Sequence, residues 1–270
     1  VERGSSILWR RRIMDPATGL GVVIGFGMLL TGYMFEEGTV PALIALSPVL
    51  IVFGGTLGAI LCQFTFGEVA GIPRFLSEAM QKPNAGDAAL RQLIETLVTL
   101  AEKARREGVL SLEADIMGEL LDKKYDPELR KGLRFMVDGS EPSLIKRMLE
   151  NEIITYEAKK RREASVFDAA GRCSVAMGVV GTVVGLIKIL GSLSDPGQLA
   201  TAVAMSLVAM LYGVSFAYLF WIPVGGKLKG KLSKELRRKA LSVEGVMSIQ
   251  AGENPTILRE RLEVFLTENR

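Results

Sequence analysis

A single hydroxyl interrupts the oily stretch VVGTVVGLIKILG at 179–191: Thr182, flanked by Gly181 and Gly185. Small residues four apart let another helix backbone approach closely. A threonine held at such a contact offers a neutral oxygen to a passing cation, or it bonds back to its own helix. Both readings stand on the residues alone. No carboxylate accompanies it. Four apolar runs, at 17–35, 40–66, 173–193 and 199–223, contain no Asp or Glu. Proton relays and cation pathways in membranes are built on intramembrane acids. If this chain serves an ion-driven machine, the titrating carboxylate must come from a partner.

Other chemistries find little support. GGTLG at 54–58 lacks the Lys-Ser/Thr of a phosphate loop and lies inside an apolar run. Gly54 and Gly58 read instead as a helix contact face, a spacing repeated by Gly21 and Gly25 and by Gly181 and Gly185. The chain has no histidine, and its two cysteines, Cys62 and Cys173, have no metal-ligand spacing. Both lie at the inner ends of their runs, on the reducing side, where no disulfide is expected. With no nucleophile–base pair, no metal cluster and no cofactor motif, an enzyme is the weakest reading. In ARREGVLSLEAD, Arg105 and Glu113 flank a turn. Read alone they are solvated charges, and Glu113 suits a helix N-terminus. The KKRR run at 159–162 is better explained by membrane topology than by nucleic acid.

The elements that must position these residues follow from hydropathy and charge. Of 270 residues, 49% are hydrophobic, and mean hydropathy is +0.28. A spanning helix needs roughly 20 apolar residues; the first run is marginal and the other three are ample. The segments between runs one and two and between runs three and four contain no Lys or Arg. The 33 basic residues concentrate elsewhere, so both termini and the middle segment are expected in the cytoplasm. Lys188, near the outer end of its run, snorkels to the headgroups. The expected fold is an all-α integral membrane protein with four transmembrane helices, as two hairpins, and a helical cytoplasmic domain. Its segments are an N-terminal cytoplasmic extension (1–15), hairpin one (16–66), a cytoplasmic helical domain (67–170), hairpin two (171–225) and a cytoplasmic helical tail (226–270). Residues 1–13 read as the product of an upstream start, with Met14-Asp15-Pro16 as the natural beginning and Asp15 as a helix cap. In the middle segment Leu90, Leu93, Ile94, Leu97, Leu100, Ala101 and Ala104 form one apolar stripe. Gly108 then ends that helix. Ser111 is expected to start the next, Asp126-Pro127-Glu128 another, and Glu141-Pro142-Ser143 a long polar helix running to the membrane.

The ordered motifs resemble those of the flagellar motor stator A subunit, the MotA/PomA family. They are VFGGTLGAIL (52–61), ARREGVLSLEADI (104–116), MGVVGTVVGLIKIL (177–190), LYGVSFAYLFWIP (211–223) and EGVMSIQAGENPTILRERLEVFL (244–266). The last is the most specific, because hydropathy does not dictate Ser-Ile-Gln-Ala-Gly-Glu-Asn-Pro. The resemblance implies a homo-oligomer, a pentamer, around B-type subunits that supply the essential membrane Asp. Ion passage would then couple to torque on the rotor's switch-complex protein. It implies rotor contact through Arg105, Arg106 and Glu113, and ion coupling through Thr182 and Pro223. Three positions depart from the family pattern. Val175 stands where the family has a proline. Ala209 and Met210 stand where many members have threonines associated with sodium, which leans the reading slightly toward protons. Membrane lipids of the bacterial inner membrane are the remaining partner; no cofactor is implied. The rival within the same class is an ExbB/TolQ-like energy-coupling subunit, which usually has three spans. A self-sufficient channel would want polar groups in its own spans.

Overall fold

The computed structural model describes residues 16–81, 86–116, 126–190 and 196–267. Among them every regular element is helical. The N-terminal extension, Asp15 and most of the turns expected near 83–87 and 194–198 lie outside the described residues. The chain divides into two compact units, one of Val1–Lys82 with Arg161–Lys229, the other of Pro83–Lys160 with Gly230–Arg270.

The first unit opens with α1 (Pro16–Phe35), whose 20 residues rise about 30 Å, enough to cross a hydrocarbon core. The second apolar run is not one helix, as the sequence suggested. It breaks into α2 (Val40–Leu43), α3 (Leu46–Val49), a π-turn (Leu50–Gly54) and α4 (Gly55–Gln63), with Ile44 and Ala45 extended between α2 and α3. Pro48 supplies the reason. It has no N–H to give the Ile44 carbonyl and its ring crowds that carbonyl, which favours a break there, whereas proline is tolerated in the first turn of α3. The hydroxyl of Tyr212 donates to the Leu43 carbonyl at the break. The 46–63 stretch remains long and apolar enough to span.

Two short helices follow, α5 (Phe66–Ala70) and α6 (Ile72–Ala79). Glu68 closes a capping box with Thr65 at the start of α5. Arg162 bonds the same carboxylate at 2.9 Å, and that guanidinium, followed by the Thr65 N–H, holds Glu68 below the usual carboxylate range. α6 turns Phe75 and Ala79 inward, where they cluster with Phe167 and Val224.

Past α6 lie α7 (Asp87–Glu107), a 3-10 turn (Val109–Leu112), α8 (Glu113–Ile116) and α9 (Pro127–Val137). α10 then runs unbroken over 49 residues, Pro142–Leu190. α11 (Pro196–Phe216) passes through a second π-turn (Ala217–Trp221) into α12 (Ile222–Gln250), so the helix continues past the end of the fourth apolar run at Pro223. Pro223 lacks the N–H that would bond the Leu219 carbonyl, and the π-turn around Leu219 accommodates that missing bond without ending the helix. Both long helical stretches contain windows apolar enough to span a membrane. Large apolar side chains stay exposed along them and along α1, including Val23, Met28, Val179, Val183 and Ile187. A membrane protein is the architecture that leaves such surface uncovered by water.

In the second unit the apolar stripe of α7 is fully buried with Leu112, Leu129, Leu133, Ile145, Leu149, Leu241, Val246, Leu258 and Leu262. Gly108 ends α7 at φ +86°, a conformation that favours glycine. Ser111 does not begin a helix: it lies inside the 3-10 turn and its hydroxyl donates back to the Gly108 carbonyl. Pro127 and Pro142 open α9 and α10 as expected. Asp126 does not cap α9 with its side chain; it pairs with Arg238 at 2.6 Å. Burial pushes its carboxyl up even with that partner beside it. Lys239 meets Glu128 and lies 4.3 Å from the Tyr156 ring centre, and the Tyr156 hydroxyl donates to Glu235 at 2.5 Å. The SIQAGENP segment makes the corner at Gly252 (φ +68°), and Asn254 Oδ1 accepts from the Thr256 N–H to start α13 (Pro255–Thr267).

Candidate functional site

The site assembles along the seam of α10 and α11. Gly178, Gly181 and Gly185 line one side; Ser206, Ala209 and Gly213 line the other. A Cβ on Gly178 would come 3.0 Å from Gly213 Cα and 3.1 Å from the Ala209 carbonyl oxygen. A Cβ on Gly181 would come 2.7 Å from Ala209 Cβ, and one on Gly185 would overlap Ser206. The two backbones therefore meet with nothing between them, the arrangement small residues permit in lipid. For Gly181 and Gly185 the helix that meets the glycine face is α11 of this same chain.

Hydroxyls lock the same seam. Ser174 donates to the Gly213 carbonyl at 3.1 Å. Thr182 Oγ1 lies 3.0 Å from its own helix's Gly178 carbonyl and 3.1 Å from the Ser206 carbonyl of α11. The back-bond is thus one of the two readings the sequence offered, and the cross-helix bond to Ser206, which it did not foresee, is within reach of the same proton. Thr182 is only partly buried, so its lone pairs are not fully enclosed. Ala209 is 1% exposed and sits on Gly181, which leaves no space there for a larger side chain. Met210, beside it, faces outward. Val175 is half-buried one turn from Gly178 and Pro223 is exposed at the start of α12.

Gly54 and Gly58 are exposed, and a side chain on either would meet nothing. The glycine of that stretch that packs within the chain is Gly55, where a Cβ would press on Met177 Sδ at 2.6 Å. Thr56, next to it, is 3% exposed and its hydroxyl finds no partner.

In the second unit, Arg105 and Glu113 stand exposed on either side of the Gly108 turn, and Arg106 reaches Glu102 at 4.0 Å. Their elements are fixed from beneath by the buried stripe of α7. Cys62 and Cys173 are free thiols, and the Gln63 amide lies 3.5 Å from Cys173 Sγ. Among the described residues no three His, Cys, Asp or Glu gather closely enough to hold a metal ion.

Sequence reasoning missed Ser174, Gly178, Ser206 and Gly213. Their signal is present as small residues at 174, 178, 181 and 185 and at 206, 209 and 213, but it becomes meaningful only when the two sets are paired.

The matching sequence profiles are the motility protein A N-terminal domain over residues 19–108 and the MotA/TolQ/ExbB proton channel family over residues 121–240. Motility protein A of Borreliella burgdorferi is 33% identical over 254 residues, covering 94% of this chain and 95% of the relative. The chain belongs to the motility protein A family. Two solved motility protein A assemblies match in three dimensions. The C. jejuni MotAB structure superposes with a TM-score of 0.84 at 26% identity, covering 95% of this chain and 98% of that one. The flagellar MotAB stator complex from Bacillus subtilis gives 0.81 at 27% identity, covering 92% and 95%. The motility protein A fold thus accounts for both the apolar hairpins and the second unit, since coverage is nearly complete in each direction.

Proposed function

We infer that this chain is the A-type subunit of a bacterial flagellar stator, which with B-type subunits forms an ion channel that couples ion flow to torque. The observation that carries the reading is the end-to-end likeness to MotAB stator structures in a chain whose apolar runs hold no acid of their own. The seam of α10 and α11 supplies a rigid, carboxylate-free wall with Thr182 as its neutral oxygen. The partner supplies the membrane Asp. In a low-dielectric groove that acid's ionised form is disfavoured, so cation arrival and departure switch it between two states. Two states of charge favour two placements of the A ring. The membrane potential adds about 2.3 kcal/mol per charge per 100 mV, a bias of more than tenfold per step.

In this reading the chain sits in the bacterial inner membrane with both termini, the 67–170 segment and the 226–270 tail in the cytoplasm. It assembles as a pentamer around the B-type helices, with Gly54 and Gly58 available to neighbouring helices. Thr182, Val175, Ala209 and Pro223 bear on ion coupling. Arg105, Arg106 and Glu113 face the rotor's switch-complex protein.

An ExbB/TolQ-like role is the second reading, because the profile over 121–240 carries those names too. The motility-specific profile over 19–108 favours the stator. The test is deletion of the gene in a strain with no second stator set. Paralysed cells with intact filaments, restored by the gene, support the reading; normal swimming refutes it.

A further inference from the structure

The first unit contains an ion pair that none of the roles above uses: Asp168 of α10 and Lys229 of α12, 2.5 Å apart. Asp168 is the last acid before the acid-free remainder of α10, and no acid occurs from 196 to 234 along the fourth helix. Asp195 lies in the link between the two spans; at the other end of the hairpin, where both helices run on into the second unit, Asp168 is the carboxylate nearest the spans. Asp168, Val175 and Thr182 are spaced seven apart. Each step of seven turns a helix by only about 20°, so the three share one column. Thr182 heads that column about 21 Å above Asp168 at 1.5 Å per residue. At the upper end Thr182 reaches the Ser206 carbonyl of α11; at the lower end Asp168 reaches Lys229 of α12. Gly225 keeps the lower contact open, since a Cβ there would lie 3.0 Å from Asp168 Oδ1 and 3.2 Å from Phe167 Cβ.

A second ion pair, Glu68 with Arg162, also borders an apolar run, but its role is local, because Glu68 closes the capping box of α5. Asp168 lies within α10 and caps nothing. Lys229 is 52% exposed and Asp168 24%, so the pair is a weak structural pin. Its placement at the end of the column suits ion handling better. A cation leaving a low-dielectric seam is drawn to a fixed negative charge, whereas an unpaired lysine there would repel it.

We propose that Asp168 is the carboxylate that receives the coupling cation at the inner end of the seam, with Lys229 as the counter-charge it exchanges for that cation. The proposal rests on the stator reading. At rest the ammonium of Lys229 neutralises the carboxylate. An arriving cation displaces it, and Lys229, half in water on a flexible stem, swings free. When the cation is a proton, it leaves the partner's carboxylic acid, whose O–H bond breaks, and reaches Asp168 as hydronium; a hydronium O–H bond breaks as one forms on Asp168, and that bond breaks in turn when water takes the proton. The ion pair then re-forms, with no net change in the protein.

The experiment uses the full A–B complex in vesicles under an imposed potential, with proton- and sodium-sensitive dyes, and scores assembly by co-purification. Asp168→Asn is expected to assemble and to lower flux by about tenfold or more, the scale of a lost proton-transfer group. Asp168→Glu is expected to keep most of the flux. Lys229→Gln, which leaves the acid uncovered, is expected to raise flux at low driving force. Wild-type flux from Asp168→Asn overturns the proposal. So does recovery of flux in the exchanged pair Asp168→Lys with Lys229→Asp, because a mere pin works in either direction. Should Asp168→Asn fail to assemble, Lys229→Gln decides: flux unchanged or reduced overturns the proposal. A silent wild-type complex, by contrast, sinks the stator reading itself.

Discussion

Glu95 on α7 accepts both arms of the Arg259 guanidinium on α13, with the second at 2.7 Å. The pair ties the tail helix to the same helix that ends in Arg105 and Arg106. Arg259 holds the Glu95 carboxyl below its ordinary range, and Glu95 raises Arg259 in turn. An acid with a depressed folded value stabilises the fold above its unfolded value, about 4.3, and loses that contribution as pH falls through the folded one. The apparent Tm of the detergent-solubilised chain should therefore drop further between pH 7 and pH 3–4 in wild type than in Glu95→Gln. Glu95 is exposed and Arg259 half-buried, so salt should shrink the difference. Exchanging the charges, Glu95→Arg with Arg259→Glu, should restore what either single change loses.

Gly185 and Gly54 should behave oppositely on gaining a methyl group. Gly185→Ala forces a Cβ onto Ser206 and should destabilise the chain by about 1–3 kcal/mol. Gly54→Ala meets nothing within the chain and should leave monomer stability unchanged. Thermal unfolding in detergent separates them. If Gly54 serves a neighbouring helix as proposed, Gly54→Leu should lower oligomer yield in size-exclusion chromatography without lowering that Tm.

Tyr212→Phe removes the donor to the Leu43 carbonyl while keeping the ring near Phe53, 6.4 Å away between centres. An unpaired carbonyl away from water costs about 1–3 kcal/mol. Lower thermal stability, and faster proteolysis near 44–45 than in wild type, are the expected readouts.

Leu97 is fully buried and packs on Gly245 of α12. Leu97→Ala should cost about 2–5 kcal/mol, measured by denaturation, because rigid neighbours leave a cavity. Gly245→Ala should also destabilise, since its Cβ would overlap the Leu97 methyls.

Arg105→Glu and Glu113→Lys should abolish swimming while leaving expression and co-purification with the B-type subunit intact, because both side chains are exposed and support no core. Arg106→Glu should be milder, as Arg106 already turns toward Glu102. Tethered-cell rotation measures all three.

Much of this architecture is legible in residue order. Periodicity places the buried stripe of α7, Gly108 marks its end, and Pro127 and Pro142 mark two helix starts. Acid-free length and composition identify the membrane runs. What escapes depends on partners far along the chain. Pro48 breaks a run that hydropathy alone would join, while Pro223 fails to break one because a π-turn absorbs its missing bond. Gly181 advertises close packing but not against which helix; only Ala209 in contact answers that. The pairs Glu95–Arg259 and Asp168–Lys229 join residues more than sixty positions apart, and nothing in local pattern selects those partners from 33 bases and 30 acids.

Gly178 and Gly213 touch backbone to backbone, so each forbids a side chain on the other. Neither codon has a tolerable single-step neighbour while the helices stay where they are, and changing both at once only doubles the overlap. Lipid-facing valines on the far side of the same helix carry no such veto. Across generations this hairpin should drift on its outer skin and stay frozen along a crease one atom wide.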